Sequence, residues 1–357
     1  MKKFTFRSLI VTFWIIIIFG SLYLPKITFS KLDSKTLNIF AWGDILDPSV
    51  IAKFEEETGI KVRLSYYASN EELIVKMKAT KGEGYDLIIP SDYAAKVLIQ
   101  NELLSPINKS KLHFWNEINP NLLNQDFDPS NVFSIPLEWE IFGFGIDKEY
   151  FSTYPLHESW RLIFDPSIIN YKISMTNDPI EAILFAGFYL FNNTDHLDIQ
   201  KADQVKNLLI KQKKWVEAYA NFRGDYFLAT RNCPVVVASS SYIWKTMRQF
   251  PFVSFVVPKE GTFISIENLA IPAKSEKQKY TYKLINYLFR HDSVKTHFEK
   301  FGFFPSTLQS LQNLEIDPIA EKLVNTSSED FKKFHFSEEL ISQQQIHDMW
   351  VEVKSSN

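Results

Sequence analysis

From Leu37 onward, short apolar runs alternate with longer amphipathic ones in the order strand, helix, strand, helix, strand, helix. LNIFAW (37–42) is a strand-length apolar run. Asp47-Pro48 then opens a helix that carries Ile51 and Phe54 opposite an acidic surface at 55–57, and Gly59 stops it. Residues 60–66 form the next strand, and Ser69 with Glu72 makes a capping box for a helix over 69–80. A third strand at 86–89 runs into Pro90-Ser91 and a helix through Gln100. Three strand–helix units in succession imply a parallel sheet with helices on both faces. Such sheets take ligands beyond the carboxyl ends of their strands, where Trp42, Ser69 and Ser91 fall.

After a loop with Pro120, Asp128 and Pro129, the segment SIPLEWEIFGFGID (134–147) is apolar and punctuated by glycine, as a strand crossing between two lobes would be. A second α/β series follows: a strand at 172–176, helices at 179–191 and 201–220, a strand at 234–238 and a helix at 241–249. A strand at 252–257 and SIENLAIP (265–272) read as a return crossing, followed by helices at 276–290 and 292–301. The 357 residues exceed what one core usually supports. The fold class is therefore α/β with two lobes, each a mainly parallel sheet flanked by helices and joined by crossing segments. Residues 36–141 with 268–310 are expected to form lobe 1, and 142–267 with 311–357 lobe 2. No tandem repeat or low-complexity stretch interrupts this.

The first 30 residues differ. Lys2, Lys3 and Arg7 precede an apolar run from Leu9 to Phe19, which fades towards Pro25 and Lys26. A charged region before an apolar run too short for a comfortable span marks a signal peptide or an N-terminal anchor, and hence export to the periplasm. No cysteine lies nearby for lipidation. Cys233 is the only one in the chain, so no intrachain disulfide forms and stability rests on packing. Removing residues 1–30 leaves 35 basic and 42 acidic residues, a charge of −7. That argues against nucleic acid as a partner and is compatible with a cation. Aromatic residues make up 15%, enough to line a ligand site after the cores are filled.

Catalytic templates fail: no nucleophile elbow, phosphate loop, zinc-protease pair or dinucleotide fingerprint is present. The seven histidines (113, 157, 196, 291, 297, 335, 347) are scattered, with only the weak pair His291 and His297 near metal-ligand spacing. A non-enzymatic protein without metal or cofactor is expected.

IFAWGD, EETGIKV, SNEEL, YDLIIPSDY, DPSN…SIPLEW, VVPKEG, ENLAIPA, KLINYLFR and GFFPS occur in the order and spacing found in periplasmic spermidine/putrescine-binding proteins, which the chain resembles over about residues 36–306. The resemblance implies the two-lobed periplasmic-binding-protein fold, with a polyamine between the lobes, handed on to an ABC permease in the inner membrane by a monomer. It puts Trp42, Asp44, Ser91, Tyr93, Asp178, Glu181 and Glu267 at ligand-contacting places. Ammonium groups on methylene stems need carboxylates for charge and aromatic faces for the stems. Each assignment has a plain rival: Trp42 as core, Ser91 as a helix cap, Tyr93 packed within its helix, Asp178-Pro179-Ile180-Glu181 as a helix start.

Departures from the family pattern also fall at the site. Ser239 and Ser265 stand where two tryptophans are expected, Phe303 replaces a tyrosine, and Glu267 an aspartate. Tyr242, Trp244, Phe263 or Trp139 are candidates to supply the missing walls, and Glu138 and Glu140 add unexpected acid near the crossing. The alternative is a binding protein for another amine or small solute, including a ferric ion held by tyrosines. An exported enzyme on the same scaffold and an anchored receptor are further rivals.

Overall fold

In a computed structural model that describes residues 14, 35–220, 224–311 and 318–356, the chain forms two α/β units on one continuous sheet. The expected signal peptide or anchor lies outside the described residues, Trp14 excepted. Eleven strands take part: β1 Thr36–Trp42, β2 Lys61–Tyr67, β3 Leu87–Ile88, β4 Ser134–Asp147, β5 Ile173–Met175, β6 Val216–Tyr219, β7 Val235–Ser239, β8 Val253–Val256, β9 Thr262–Ala270, β10 Phe304–Pro305 and β11 Phe334–Phe336. The main path runs β2-β1-β3-β9-β4-β7-β5-β6.

In the first unit β1 lies between β2 and β3, parallel to both. Alternation along β1 explains its two covered faces. Leu37, Ile39 and Ala41 pack under helices Pro48–Thr58 and Gln278–Leu288, while Phe40 packs with Leu73, Met77, Ala94 and Leu98 from helices Asn70–Thr80 and Asp92–Gln100. The first helix starts as its sequence dictates: Asp47 accepts from Ser49 N, Pro48 fills the first turn, and Gly59 closes it at φ 66°. Ser69 caps the next helix by accepting from Glu72 N. Here the expected box differs in its reciprocal arm, because the Glu72 carboxylate accepts from Ala68 N.

The second unit repeats the scheme with β5 parallel to β6 and β7. Val235 and Val237 face the cluster formed with helices Pro179–Phe191, Ile199–Gln212 and Gln343–Ser355, whereas Val236 faces Leu228 and Ile243. The expectation of one helix over 201–220 is corrected. It ends at Gln212, whose buried side chain donates to Ile163 O together with Trp215 Nε1, and the chain turns into β6. Residues 216–219 are strand because the edge of β5 offers them a ladder that isolated helix propensity cannot match.

Two long antiparallel strands join the units. β4 pairs with β9 from Ser134↔Ala270 to Ile141↔Ile264, and from Phe142 onward with β7 and β8. Buried Asp128 fixes the start of β4 by accepting the amides of Val132, Phe133 and Ser134. Further on, Gly143 and Gly145 are needed for contact: a Cβ would lie 2.6 Å from the Phe255 ring and 2.5 Å from Ile243. Behind the crossing, Trp139, Ile141, Ile264 and Ile266 form a shared apolar cluster with Phe304, Leu323 and Phe331.

Gly302, at φ 82°, ends helix His291–Phe301 with its Cα hydrogen facing the carbonyl of Ser241, 2.5 Å from where a Cβ would sit. Gly59 shares the left-handed conformation but has open space around it. Gly59→Ala is expected to cost about 1 kcal/mol for backbone strain alone. Gly302→Ala is expected to cost at least about 2 kcal/mol, since the carbonyl must also move. Urea unfolding of both variants checks the difference; equal midpoints would show that the Gly302–Ser241 contact is slack.

Candidate functional site

The strand alternation that buries Trp139 and Ile141 turns Glu138, Glu140 and Phe142 to the opposite face of β4, and Ser265 and Glu267 to the same side of β9. Glu138 stands opposite Glu267 in the ladder, and Glu140 opposite Ser265. This ribbon joins the two units and is the candidate floor of a cleft between them. One wall comes from the first unit. Trp42, at the end of β1, donates its indole N–H to Glu267 at 2.9 Å, and the Ser265 hydroxyl donates to the same carboxylate at 3.3 Å. The Trp42 ring also stacks at a tilt on Tyr67, 4.5 Å between centroids. Ser91 bridges Glu267 through backbone pairing, while its hydroxyl donates to Asn70 at 3.0 Å and caps the helix that begins at Asp92.

The other wall comes from the second unit. A cavity of about 90 Å³ is lined by Glu140, Phe142, Thr176, Asp178, Glu181, Ser239 and Tyr242. Asp178 caps helix Pro179–Phe191 by accepting from Ile180 N at 2.8 Å and Glu181 N at 3.1 Å, while Thr176 donates its hydroxyl to the Glu181 carboxylate at 2.6 Å. Ser241 donates to Glu140 and shares a 3.0 Å hydroxyl contact with Ser239. At the rim Tyr93 donates its hydroxyl to Glu339, a residue of the C-terminal segment, and Lys96 pairs with Glu338 at 3.6 Å.

The sequence candidates thus fall into groups. Trp42, Ser265 and Glu267 meet on one wall, and Asp178, Glu181 and Ser239 on the other. Ser91 and Tyr93 lie at the start of one helix, with the Ser91 hydroxyl turned into its own unit. Asp44 is exposed on the loop after β1, close enough that its charge acts on Tyr242. Phe303 is partly buried beside Gly302. Of the replacement walls considered, Trp139, Trp244 and Phe263 belong to apolar cores, and only Tyr242 lines the cavity. Strand phase explains Trp139, which lies between Glu138 and Glu140 and so faces the other side of the sheet. Phe263 shares the side of Ser265 but is covered by Phe185 and Phe188, and Trp244 packs on Phe298 from helix Ser240–Met247. Phe142 and Thr176 were not foreseen, although Phe142 continues the Glu138–Glu140 alternation. Glu339 carried no signal, because the resemblance loosens beyond residue 306. His297 is buried, accepting from Asp47 N at 3.1 Å, so the His291/His297 pair forms no site.

Burial dominates the electrostatics. It raises the Glu181 carboxyl to about 8, with the charge of Asp178 adding to the shift and the Thr176 hydroxyl opposing it. Glu267 also rises to about 8, through burial and then the charges of Asp92 and Glu140, against the Trp42 hydrogen bond. Burial raises Glu138, Glu140 and Asp178 as well. Among the described residues none of these five carboxyls forms an ion pair with lysine or arginine. Desolvation and mutual repulsion thus bias all five carboxyls towards their neutral forms.

A sequence profile described as bacterial extracellular solute-binding protein matches residues 49–323. The chain belongs to that family. A relative in Escherichia coli strain K12, the spermidine/putrescine-binding periplasmic protein, is 30% identical over 311 residues, covering 84% of this chain and 86% of its own. Among solved structures, the spermidine/putrescine ABC transporter substrate-binding protein PotD from Streptococcus pneumoniae superposes with TM-score 0.77 at 25% identity, covering 90% of this chain and 98% of that one. Iron-bound HitA from Pseudomonas aeruginosa shares the fold at TM-score 0.64 and 12% identity, covering 89% and 99%. The two-lobed periplasmic-binding-protein architecture is therefore that of the family. No helix among the described residues is long and apolar enough to cross a membrane.

The raised carboxyls make the ligand-free protein sensitive to pH. A carboxyl near 8 when folded and 4.5 when unfolded favours the fold at low pH and loses that contribution as pH rises to 8. His297, lowered to about 4, acts oppositely but only below 6.5, and Lys354, lowered to about 8, acts above 8. Stability should therefore fall between pH 6.5 and 8, by up to about 1.4 kcal/mol per pH unit for each proton released. Glu181→Gln or Glu267→Gln should flatten the fall. Thermal melts across this window test it, and a flat profile for the unsubstituted protein would mean the carboxyls ionise freely.

Proposed function

We propose that this protein is the exported, non-enzymatic capture component of an ABC importer and that its ligand is a polyamine. One observation carries the reading: buried and half-buried carboxyls line the walls and floor of the cleft, and among the described residues no basic side chain forms an ion pair with them. A ligand that brings ammonium groups supplies the missing charge and displaces the stored protons. The carboxyls are spread along the cleft. Among the described residues no three His, Cys, Asp or Glu side chains gather as a metal ion would need, and an extended cation suits that spacing better than a compact one. The polyamine-binding relatives support the same class of ligand.

In this reading Trp42 and Tyr242 flank the methylene stems, Asp178 and Glu181 hold one end, and Glu267 holds the other. Ser91, Tyr93, Asp44, Ser239, Ser265 and Phe303 complete the surroundings. Residues 36–141 with 268–310 move as one lobe and 142–267 with 311–357 as the other. The change of β4 partners between Ile141 and Phe142 favours that hinge, as does the packing of Ile346, Met349 and Val353 on helix Pro179–Phe191. Residues 320–331 join the cluster common to both lobes, so the C-terminal segment also braces the crossing. Closure around the ligand presents a monomer to an inner-membrane permease, with the N-terminal segment directing the protein to the periplasm.

Titration calorimetry with putrescine, spermidine, γ-aminobutyrate and ferric ion tests the ligand class. The polyamines are expected to bind with net proton release, read as a heat that changes with the ionisation enthalpy of the buffer. Binding of γ-aminobutyrate or iron alone would overturn the reading. Asp178→Asn separates anchor from cap, because Asn caps a helix as well as Asp does. The variant is expected to melt near the unsubstituted protein yet lose about 2–5 kcal/mol of polyamine binding. Unchanged binding would leave Asp178 a cap only.

A further inference from the structure

Glu138 and Glu140 are not needed to hold the two ends of a diamine, yet both are built into the cleft floor. Glu140 lies between the other carboxyls. Its charge acts on Glu181 on one side and on Glu267 on the other, and it lines the cavity that holds Asp178 and Glu181. Two positions along β4, about 6.7 Å away by strand geometry, Glu138 faces Glu267 across the ladder. The carboxyls therefore occupy three stations in a row: Asp178 with Glu181, then Glu140, then Glu267 with Glu138. Ser265, opposite Glu140, and Ser239, on the cavity wall, are small side chains; Glu140 itself accepts from Ser241 and feels the charge of Lys245, without an ion pair among the described residues. A second observation points to a missing partner. Glu138 is only 4% exposed, and its Oε1 has no hydrogen-bond partner.

We propose that Glu140, backed by Glu138, is a middle ammonium seat through which the cleft selects polyamines by their number of charged nitrogens, a triamine above a diamine. The proposal rests on the polyamine reading and narrows it. A diamine neutralises two of the three stations, so the third either keeps its proton or is left as a buried unpaired charge. A triamine meets all three. Methylene length alone is a weak discriminator here, because aromatic rings at the cleft are few: Tyr242 and Phe142 in the cavity, and Trp42 on the other wall.

Spermidine and 1,8-diaminooctane have the same chain length and differ by the central nitrogen, so they isolate its contribution. Calorimetric titration of the full-length protein at pH 7.5 is expected to show spermidine binding at least about tenfold more tightly. Glu140→Gln is expected to bring the two ligands within about threefold, mainly by weakening spermidine. Glu138→Gln should give a smaller loss in the same direction. Both variants replace a buried acid by a neutral isostere and are expected to melt no lower than the unsubstituted protein. Equal binding of the two ligands, or a preference that survives Glu140→Gln, overturns the middle seat while leaving polyamine capture standing. Failure of the unsubstituted protein to bind either ligand overturns the polyamine reading and the proposal with it.

Discussion

Holding several buried and half-buried carboxyl groups near one another, with no ion pair to any of them among the described residues, is the constraint around which this structure is arranged. Desolvation alone disfavours each charged form, and the neighbouring acids add repulsion. The fold tolerates the arrangement because each group except Glu138 has a local donor that does not neutralise it: Trp42 for Glu267, Ser241 for Glu140, Thr176 for Glu181, and the helix amides for Asp178. Neutral donors orient the acids without neutralising them.

The floor is possible because β4 and β9 are two-sided in a consistent register. Their apolar side, with Trp139, Ile141, Ile264 and Ile266, is sealed by the shared cluster behind the crossing, which lets the other side be polar. A slip of one residue would bury the acids in that cluster and turn Trp139 into the cleft. Several devices hold the register: the amides gathered by Asp128 at the start of β4, the irregularity between Pro136 and Glu138, and the close-packed Gly143 and Gly145 further on. At the rim, the contacts of Tyr93 and Lys96 with Glu339 and Glu338 tie a helix of the first unit to the segment that leads into the C-terminal helix.

Much of this was legible in the chain. Asp47-Pro48 and Gly59, Asp178-Pro179, and Ser69 with Glu72 fix helix ends through interactions within a few residues, and those ends fall where the pattern puts them. The long crossing strand at 134–147 was readable because a mainly apolar run punctuated by glycine, broken only by the alternating Glu138 and Glu140, suits few other structures. Trp42 and Glu267 fall within collinear motifs, and the family resemblance pointed to Asp178 and Glu181 by position. Residues 216–219 were not legible as strand, since that state depends on pairing with the edge of β5, Ile173 with Val216 being 43 positions apart in the chain.

The sequence by itself determined the α/β class, the helix starts, the crossing strand and the acidic character of the candidate site, all of which follow from local periodicity and side-chain type. Only the tertiary structure decided which aromatic rings face the cleft. Trp139, Trp244 and Phe263 are as apolar as any wall residue; strand phase puts Trp139 in the core, while Phe263 and Trp244 are there because helix residues pack over them. It likewise decided that Glu138 and Glu140 join Glu267 in one row, and that Glu339 reaches Tyr93 across 246 positions of chain. Contacts of that range are fixed by the register of strands and the return of the C-terminal segment, and no local pattern encodes either.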